Sequence, residues 1–160
     1  MGVVIIRRTK FEDMTAIMDA HRRSIIELCS KDYNQEQINC WSSVNYNGKL
    51  WSQAITHDYH ISIEKHGKIE GFCHACIKDE TVGEIRALFF TKEIVGQGYG
   101  RKAIGKALNY LRTKECSKVN VTGTITAKPF YEKMGFTCMQ KISAETRGTN
   151  LICYNMTKET

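Results

Sequence analysis

The sequence predicts an α/β fold in which helices flank one mixed sheet of about seven strands. Three observations carry that prediction. Apolar runs of strand length recur along the chain and alternate with segments whose apolar residues fall at helical spacing. A glycine-rich turn, Val95-Gly96-Gln97-Gly98-Tyr99-Gly100-Arg101, joins an apolar strand to an amphipathic stretch. No repeat, low-complexity tract or linker divides the 160 residues, which predict a single domain over residues 1–160.

The elements follow in order. Residues 3–8 form the first strand. Residues 10–29 form a helix with Met14, Ile17, Met18, His21, Ile25 and Leu28 on one face, opened by the capping box Thr9-Lys10-Phe11-Glu12. Two shorter helices cover residues 34–42 and 49–56, and strands cover 59–65 and 69–78 around His66-Gly67-Lys68. Residues 82–91, Val-Gly-Glu-Ile-Arg-Ala-Leu-Phe-Phe-Thr, read as a buried strand. Beyond Gly98, Ala103, Ile104, Ala107, Leu108 and Leu111 make one helical stripe, with Arg112 and Lys114 where the dipole favours cations. A strand at 118–124 precedes a helix over 127–134, which Thr126 caps, Pro129 enters in its first turn, and Gly135 ends. Strands at 137–142 and 150–156 complete the sheet.

Two motifs carry chemistry. The glycine turn sits at a helix N-terminus, where the first four N–H groups lack internal partners. Glycines 96, 98 and 100 let that backbone approach a pyrophosphate. On the turn alone, a ligand-free strand-to-helix connection is an equal reading. The G-x-G-x-x-G dinucleotide spacing fits poorly, and no Gly-Lys-Ser or Gly-Lys-Thr of a Walker loop occurs. The second motif, Phe130-Tyr131-Glu132-Lys133-Met134-Gly135-Phe136, sets a tyrosine between two inward-packing phenylalanines, so its hydroxyl needs a polar destination.

With both motifs in order, the sequence resembles the GNAT N-acetyltransferase superfamily over most of its length. The resemblance rests on Leu88-Phe89-Phe90, the turn 95–100, and Ala127-Lys128-Pro129-Phe130-Tyr131-Glu132-Lys133-Met134-Gly135-Phe136. It implies a central mixed, mostly antiparallel sheet and transfer of an acetyl group from acetyl-CoA to an amine in a direct ternary complex. The cofactor residues implied are Leu88, Phe89, Phe90, Val95, Gly96, Gln97, Gly98, Tyr99, Gly100 and Arg101. Three positions depart from the family pattern: Val95 in place of Arg or Gln, Lys92 where proline is common, and Thr124 where asparagine often touches the cofactor arm. None removes a backbone N–H.

The implied chemistry has three needs. A lysine-like amine of pKa ~10.4 is under roughly 0.1% neutral at pH 7, so the acceptor must lose a proton. The thioester carbonyl needs a donor, expected from a backbone N–H of the strand at 88–90. The departing thiolate benefits from a proton, a role the resemblance gives to Tyr131. Glu84, four residues before Leu88 at the place where the resemblance implies a glutamate acting directly or through water, is the base candidate; Arg86 points to the same face, so a structural Glu–Arg pair is an equal reading. His74 and His60 are weaker base candidates. Acceptor specificity is expected in residues 24–57, where Tyr33, Trp41, Tyr46 and Trp51 either wall a pocket for an organic amine or pack the short helices.

Composition excludes other classes. Net charge is +6, but no arginine-rich block or aromatic-basic repeat supports nucleic-acid binding. No apolar run approaches a membrane span, and Arg7 and Arg8 follow the apolar start instead of preceding it, which argues against a secretory signal. Seven scattered cysteines suggest reduced thiols in a cytoplasmic protein. Cys73-His74-Ala75-Cys76 resembles a metal motif, yet on a strand 73 and 76 face opposite sides, so no metal is expected. The partners expected are a small-molecule or peptide amine, with a homodimer allowed. The competing function is a non-catalytic module of the same fold that senses acyl-CoA or an amine.

Overall fold

Strand-length apolar runs joined by tight turns lay seven strands into one sheet, and amphipathic helices bury its two faces. The computed structural model describes residues 3–43 and 48–160. The strands are β1 (Val4–Arg8), β2 (Tyr59–Lys65), β3 (Lys68–Asp79), β4 (Val82–Phe90), β5 (Lys118–Thr124), β6 (Thr137–Thr146) and β7 (Thr149–Glu159). The helices are α1 (Met14–Ser24), α2 (Gln35–Trp41), α3 (Gly48–His57), α4 (Tyr99–Thr113) and α5 (Lys128–Lys133). Spatial order is β1-β2-β3-β4-β5-β7-β6, and every neighbouring pair is antiparallel except β4 with β5. That parallel pair needs a crossover, which α4 supplies.

The α4 stripe of Ala103, Ile104, Ala107 and Leu111 packs on Ile61, Ile63, Cys73, Ile85, Val119 and Val121 of the sheet. On the opposite face α1 contributes Ile17 and Ala20 against Ile69 and Phe72. Gly83 is required where α4 crosses, because a Cβ there would lie 2.8 Å from Leu111. Among the described residues no helix is long and apolar enough to cross a membrane.

Three local expectations are corrected. Residues 10–29 are not one helix: a 3₁₀ turn (Phe11–Asp13) leads into α1, and a π-helical turn (Ile25–Cys29) follows it. The capping carboxylate is Asp13, which accepts from Lys10 N at 2.8 Å. The Thr9 hydroxyl is instead 2.6 Å from Ser62 Oγ and 2.8 Å from His60 Nδ1 in the interior. Thr126 does not cap α5, since its hydroxyl donates to Asp32 Oδ2 at 2.7 Å; Thr124 Oγ1 accepts from Ala127 N at 3.1 Å. The last two strands also run further than expected. A two-residue turn at Arg147 (φ 50°) and Gly148 (φ 86°) lets pairing reach Thr146 and Thr149.

His60 is 1% exposed and stacks on Phe72 and His74 at 5.5 Å each. Burial, helped by His74 and Arg8 and opposed by Asp13, pushes its pKa down to about 3. Burial and Arg147 push His21 down to about 4. The folded chain therefore holds fewer protons than the unfolded chain below the ordinary histidine pKa of ~6.5, so stability falls as pH drops from there toward those values. Between pH 7.5 and pH 5 the His60 contribution is a loss of about 2 kcal/mol. Urea unfolding midpoints at the two pH values measure it, and His60→Gln should flatten the dependence. Equal wild-type midpoints would contradict a buried neutral imidazole.

Candidate active site

The site begins where two strands part. β4 and β5 pair in parallel only from Val82↔Lys118 to Ile85↔Val121. On its other edge β4 pairs with β3 along its length, but the register shifts between His74 and Ala75: His74 faces Ala87 while Ala75 faces Ile85. Arg86 is thus an extra residue, a β-bulge that turns the strand. Beyond it β5 continues beside β7, and the 86–90 edge of β4 has no strand partner among the described residues. Backbone N–H and C=O groups on that edge remain available to an extended ligand.

A pocket of about 520 Å³ fills the fork. One wall is Ile85 to Phe90 and the other is Val121, Thr122 and Thr124. Val95, Gly96, Gly98, Gly100 and Arg101 line one end. Ser24, Leu28 and Cys29 line it from the end of α1 and its π turn, and Phe130, Tyr131 and Lys133 from α5. Of the sequence-derived cofactor residues, the side chains of Gln97 and Tyr99 go elsewhere. Gln97 Nε2 donates to Glu93 O at 3.1 Å, and Tyr99 packs into the α4 core with Lys102 over its ring.

Gly98 is the N-cap of α4 at φ 89°, a left-handed conformation that favours glycine. A Cβ there would meet nothing within 4 Å, so the space beside it is open. At Gly100 a Cβ would sit 2.9 Å from Phe130 and 3.0 Å from Phe90, so the first turn of α4 approaches the pocket wall closely. Open peptide N–H groups at the start of a 15-residue helix form a cradle that suits a pyrophosphate. A buried chain of polar contacts fixes the segment leading to it. Thr91 N donates to Glu70 O at 2.9 Å and its hydroxyl donates to Glu70 Oε2; Thr91 O accepts from Ile94 N and Val95 N at 3.2 Å each. Glu70 in turn accepts from Arg23 Nη1 at 2.9 Å. A second tie runs from Lys92 N to Glu27 Oε1 at 3.2 Å. α1 and its π turn are therefore linked to the loop at two points.

Tyr131 is 3% exposed. Burial, with Cys73 nearby, pushes its pKa well above the ordinary tyrosine value, so its hydroxyl keeps its proton. Among the described residues no fully enclosed side-chain N or O lacks a hydrogen-bond partner, and Tyr131 has no bonded neighbour, so the hydroxyl meets the pocket. Phe136 beneath it is buried, whereas Phe130 forms pocket wall.

Glu84 lies one register position below the fork, opposite Asn120, in a second groove of about 280 Å³. Val121 and Thr122 line both cavities. Glu84 Oε1 is 3.0 Å from Arg86 Nε and Oε2 is 3.4 Å from Lys78 Nζ. Arg86 Nε also donates to Cys76 Sγ at 3.1 Å. His74 Nε2 is 2.8 Å from Asp58 Oδ2; burial lowers its pKa and the Asp58 contact opposes that.

The aromatic residues proposed for acceptor binding pack. Tyr33 donates to Ile152 O at 2.6 Å and accepts from Ile125 N at 3.0 Å. Trp41 meets Tyr33 and Phe89 edge-on, and Trp51 meets His21 and Phe72. Tyr46 lies outside the described residues. The cysteines are free thiols; burial pushes Cys73 up to about 12 and Cys29 up to about 11. No group of three or more His, Cys, Asp or Glu side chains among the described residues is arranged to hold a metal ion. Ser24, Leu28 and Cys29 fall within the stretch 24–57 expected to set acceptor specificity, but sequence reasoning did not single them out, and the π turn that presents Leu28 and Cys29 leaves no mark in apolar spacing.

Residues 29–160 match the family model of the acetyltransferase (GNAT) domain. The chain belongs to the GNAT acetyltransferase family. Members of this family use acetyl-CoA. The chain is 26% identical over 150 residues to the uncharacterized N-acetyltransferase YafP of Escherichia coli K12, covering 92% of this chain and 91% of that one. Its fold is similar to a GCN5-related N-acetyltransferase of Rhodopseudomonas palustris: TM-score 0.88, 21% identity, 100% of this chain and 98% of that chain covered. It is also similar to the PaiA N-acetyltransferase of Thermoplasma acidophilum, solved with coenzyme A: TM-score 0.81, 17% identity, 99% of each chain covered.

The cradle gives a direct test. Gly98→Val sets a branched side chain in the open space beside the loop and strains the backbone by about 1–2 kcal/mol. Acetyl-CoA affinity by calorimetry should fall roughly tenfold or more, the worth of one or two charge-assisted hydrogen bonds, while a cooperative thermal transition persists. Wild-type affinity would place the pyrophosphate elsewhere.

Proposed function

We propose that this GNAT acetyltransferase moves the acetyl group of acetyl-CoA directly to a primary amine held in the same complex. The observation that carries the reading is the continuity of one cleft. It runs from the peptide cradle at 96–100, along the free edge of β4, to the Tyr131 hydroxyl. The coenzyme A in the T. acidophilum neighbour supports the cofactor assignment by likeness of fold. Acetyl-CoA, when bound, supplies an activated acyl group and a thiol leaving group.

The chain's own residues have separable tasks in this reading. The N–H groups at 96–101 bind phosphate, and Arg101 and Lys133 add positive charge beside it. The edge at 88–90 donates hydrogen bonds to a carbonyl lying alongside it. Tyr131, protonated by burial, holds a proton for the departing sulfur. Glu84, at the junction with the second groove, removes a proton from the incoming ammonium, directly or through water.

Release of free thiol that depends on an added amine tests the reading as a whole. Acetyl-CoA binding with no such release from a broad amine panel would favour the sensing module. Tyr131→Phe removes only the hydroxyl, so cofactor affinity should hold while turnover falls by roughly 10²–10⁴. Unchanged turnover, with chemistry limiting, would make the tyrosine a packing residue.

Glu84→Gln tests the base. Turnover should drop most near pH 7 and recover relative to wild type as pH approaches the amine pKa, where solution supplies neutral amine. A defect constant across pH would assign Glu84 to positioning through Arg86 and Lys78.

A further inference from the structure

The second groove has a chemistry that the reaction alone does not require. It is lined by Lys78, Glu84, Lys118, Asn120, Asn155 and Met139, among others, and shares Val121 and Thr122 with the lining of the main cleft. Its one carboxylate is already engaged at both oxygens, by Arg86 and Lys78. Asn120 Oδ1 accepts from Thr157 Oγ1 at 3.0 Å, which leaves its amide N–H groups as the free function. Lys118 makes no ion pair among the described residues, although Glu159 stands opposite it in the β5–β7 register. Lys118 is therefore a charged lining residue without an ion pair among the described residues, beside Asn155 and Thr122 side chains that can donate or accept.

From this we infer that the groove selects an acceptor that carries a carboxylate as well as its amine. The inference rests on the acetyltransferase reading and names the substrate class of that site. An ionised carboxylate only accepts hydrogen bonds, so it matches the free donors on Asn120 and Lys118. A second ammonium on the acceptor would instead meet Lys78 and Lys118 across the groove. Spacing adds a further constraint. The amine must reach the fork at Val121 and Thr122, while Asn120 and Lys118 lie further down the same strand. At about 3.3 Å per residue, Asn120 lies about 7 Å and Lys118 about 13 Å along the strand from Thr122. The carboxylate is thus several bonds from the amine, and the groove volume of about 280 Å³ suits a small molecule.

Straight-chain ω-amino acids, diamines and alkylamines of matched length supply the test, since they present similar amines with a carboxylate, a cation or nothing at the far end. Amine-dependent thiol release is measured for each, with α-amino acids as the short-spacer control. An ω-amino acid should exceed the matched diamine in kcat/KM by tenfold or more, mainly through KM. In Lys118→Gln that ratio should fall about tenfold, and Lys118→Arg should restore most of it. Diamines or alkylamines used as well as the amino acids would overturn the inference and leave the acetyltransferase reading standing. So would a ratio that Lys118→Gln does not change. Acetyl-CoA binding with no release from any member would overturn both.

Discussion

The end of pairing between β4 and β5 is the constraint on which the site depends. Four register pairs hold the strands together, and then the bulge at Arg86 turns β4 away. A continuous sheet would satisfy the backbone of residues 86–90 and leave no cleft. The divergence creates the cavity, exposes a strand edge inside it, and brings α5 near enough to β4 for Tyr131 to face the opening. It also defines the second groove, because Glu84 and Asn120 are the last residues before Ile85 and Val121 close the pairing.

The free edge needs a rigid frame, and the frame comes from both faces of the sheet. The α4 stripe fixes β4 and β5 from one side, while α1 fixes β3 from the other. Arg23, Glu70 and Thr91 connect α1 to the glycine loop through the sheet's interior. Ser24 follows Arg23 and lines the cleft, so the wall at the end of α1 and the loop at the start of α4 are anchored to one carboxylate. Ground-state order of this kind keeps backbone donors aimed before any ligand arrives.

Much of this was legible in sequence because it rests on periodicity and glycine. The alternation of strand and helix, the α4 stripe, and the glycine turn at its N-terminus each follow from one local rule. Tyr131 was legible through the sequence around it, Phe130 to Phe136. What was not legible depends on competition between partners. Thr9 and Thr126 both look like caps, but interior and cross-chain partners, His60 and Ser62 for one and Asp32 for the other, take their hydroxyls. The π turn at Ile25–Cys29 alters which side chains face the cleft without altering the apolar pattern. For the aromatic residues 33, 41 and 51 the sequence left pocket wall and packing both open, because their ring contacts and the hydrogen bonds of Tyr33 to distant strands are tertiary facts.

Because Glu70 is only 3% exposed, its contacts with Arg23 and Thr91 sit where dissolved ions screen them little. The lysines that give the surface its positive field have no such shelter. Rising ionic strength therefore separates two properties that are coupled in dilute buffer. The long-range pull on a polyanion fades over a shrinking Debye length, while the shape of the glycine cradle persists. In concentrated salt the protein meets its co-substrate more slowly, yet presents it with the same arrangement of peptide groups.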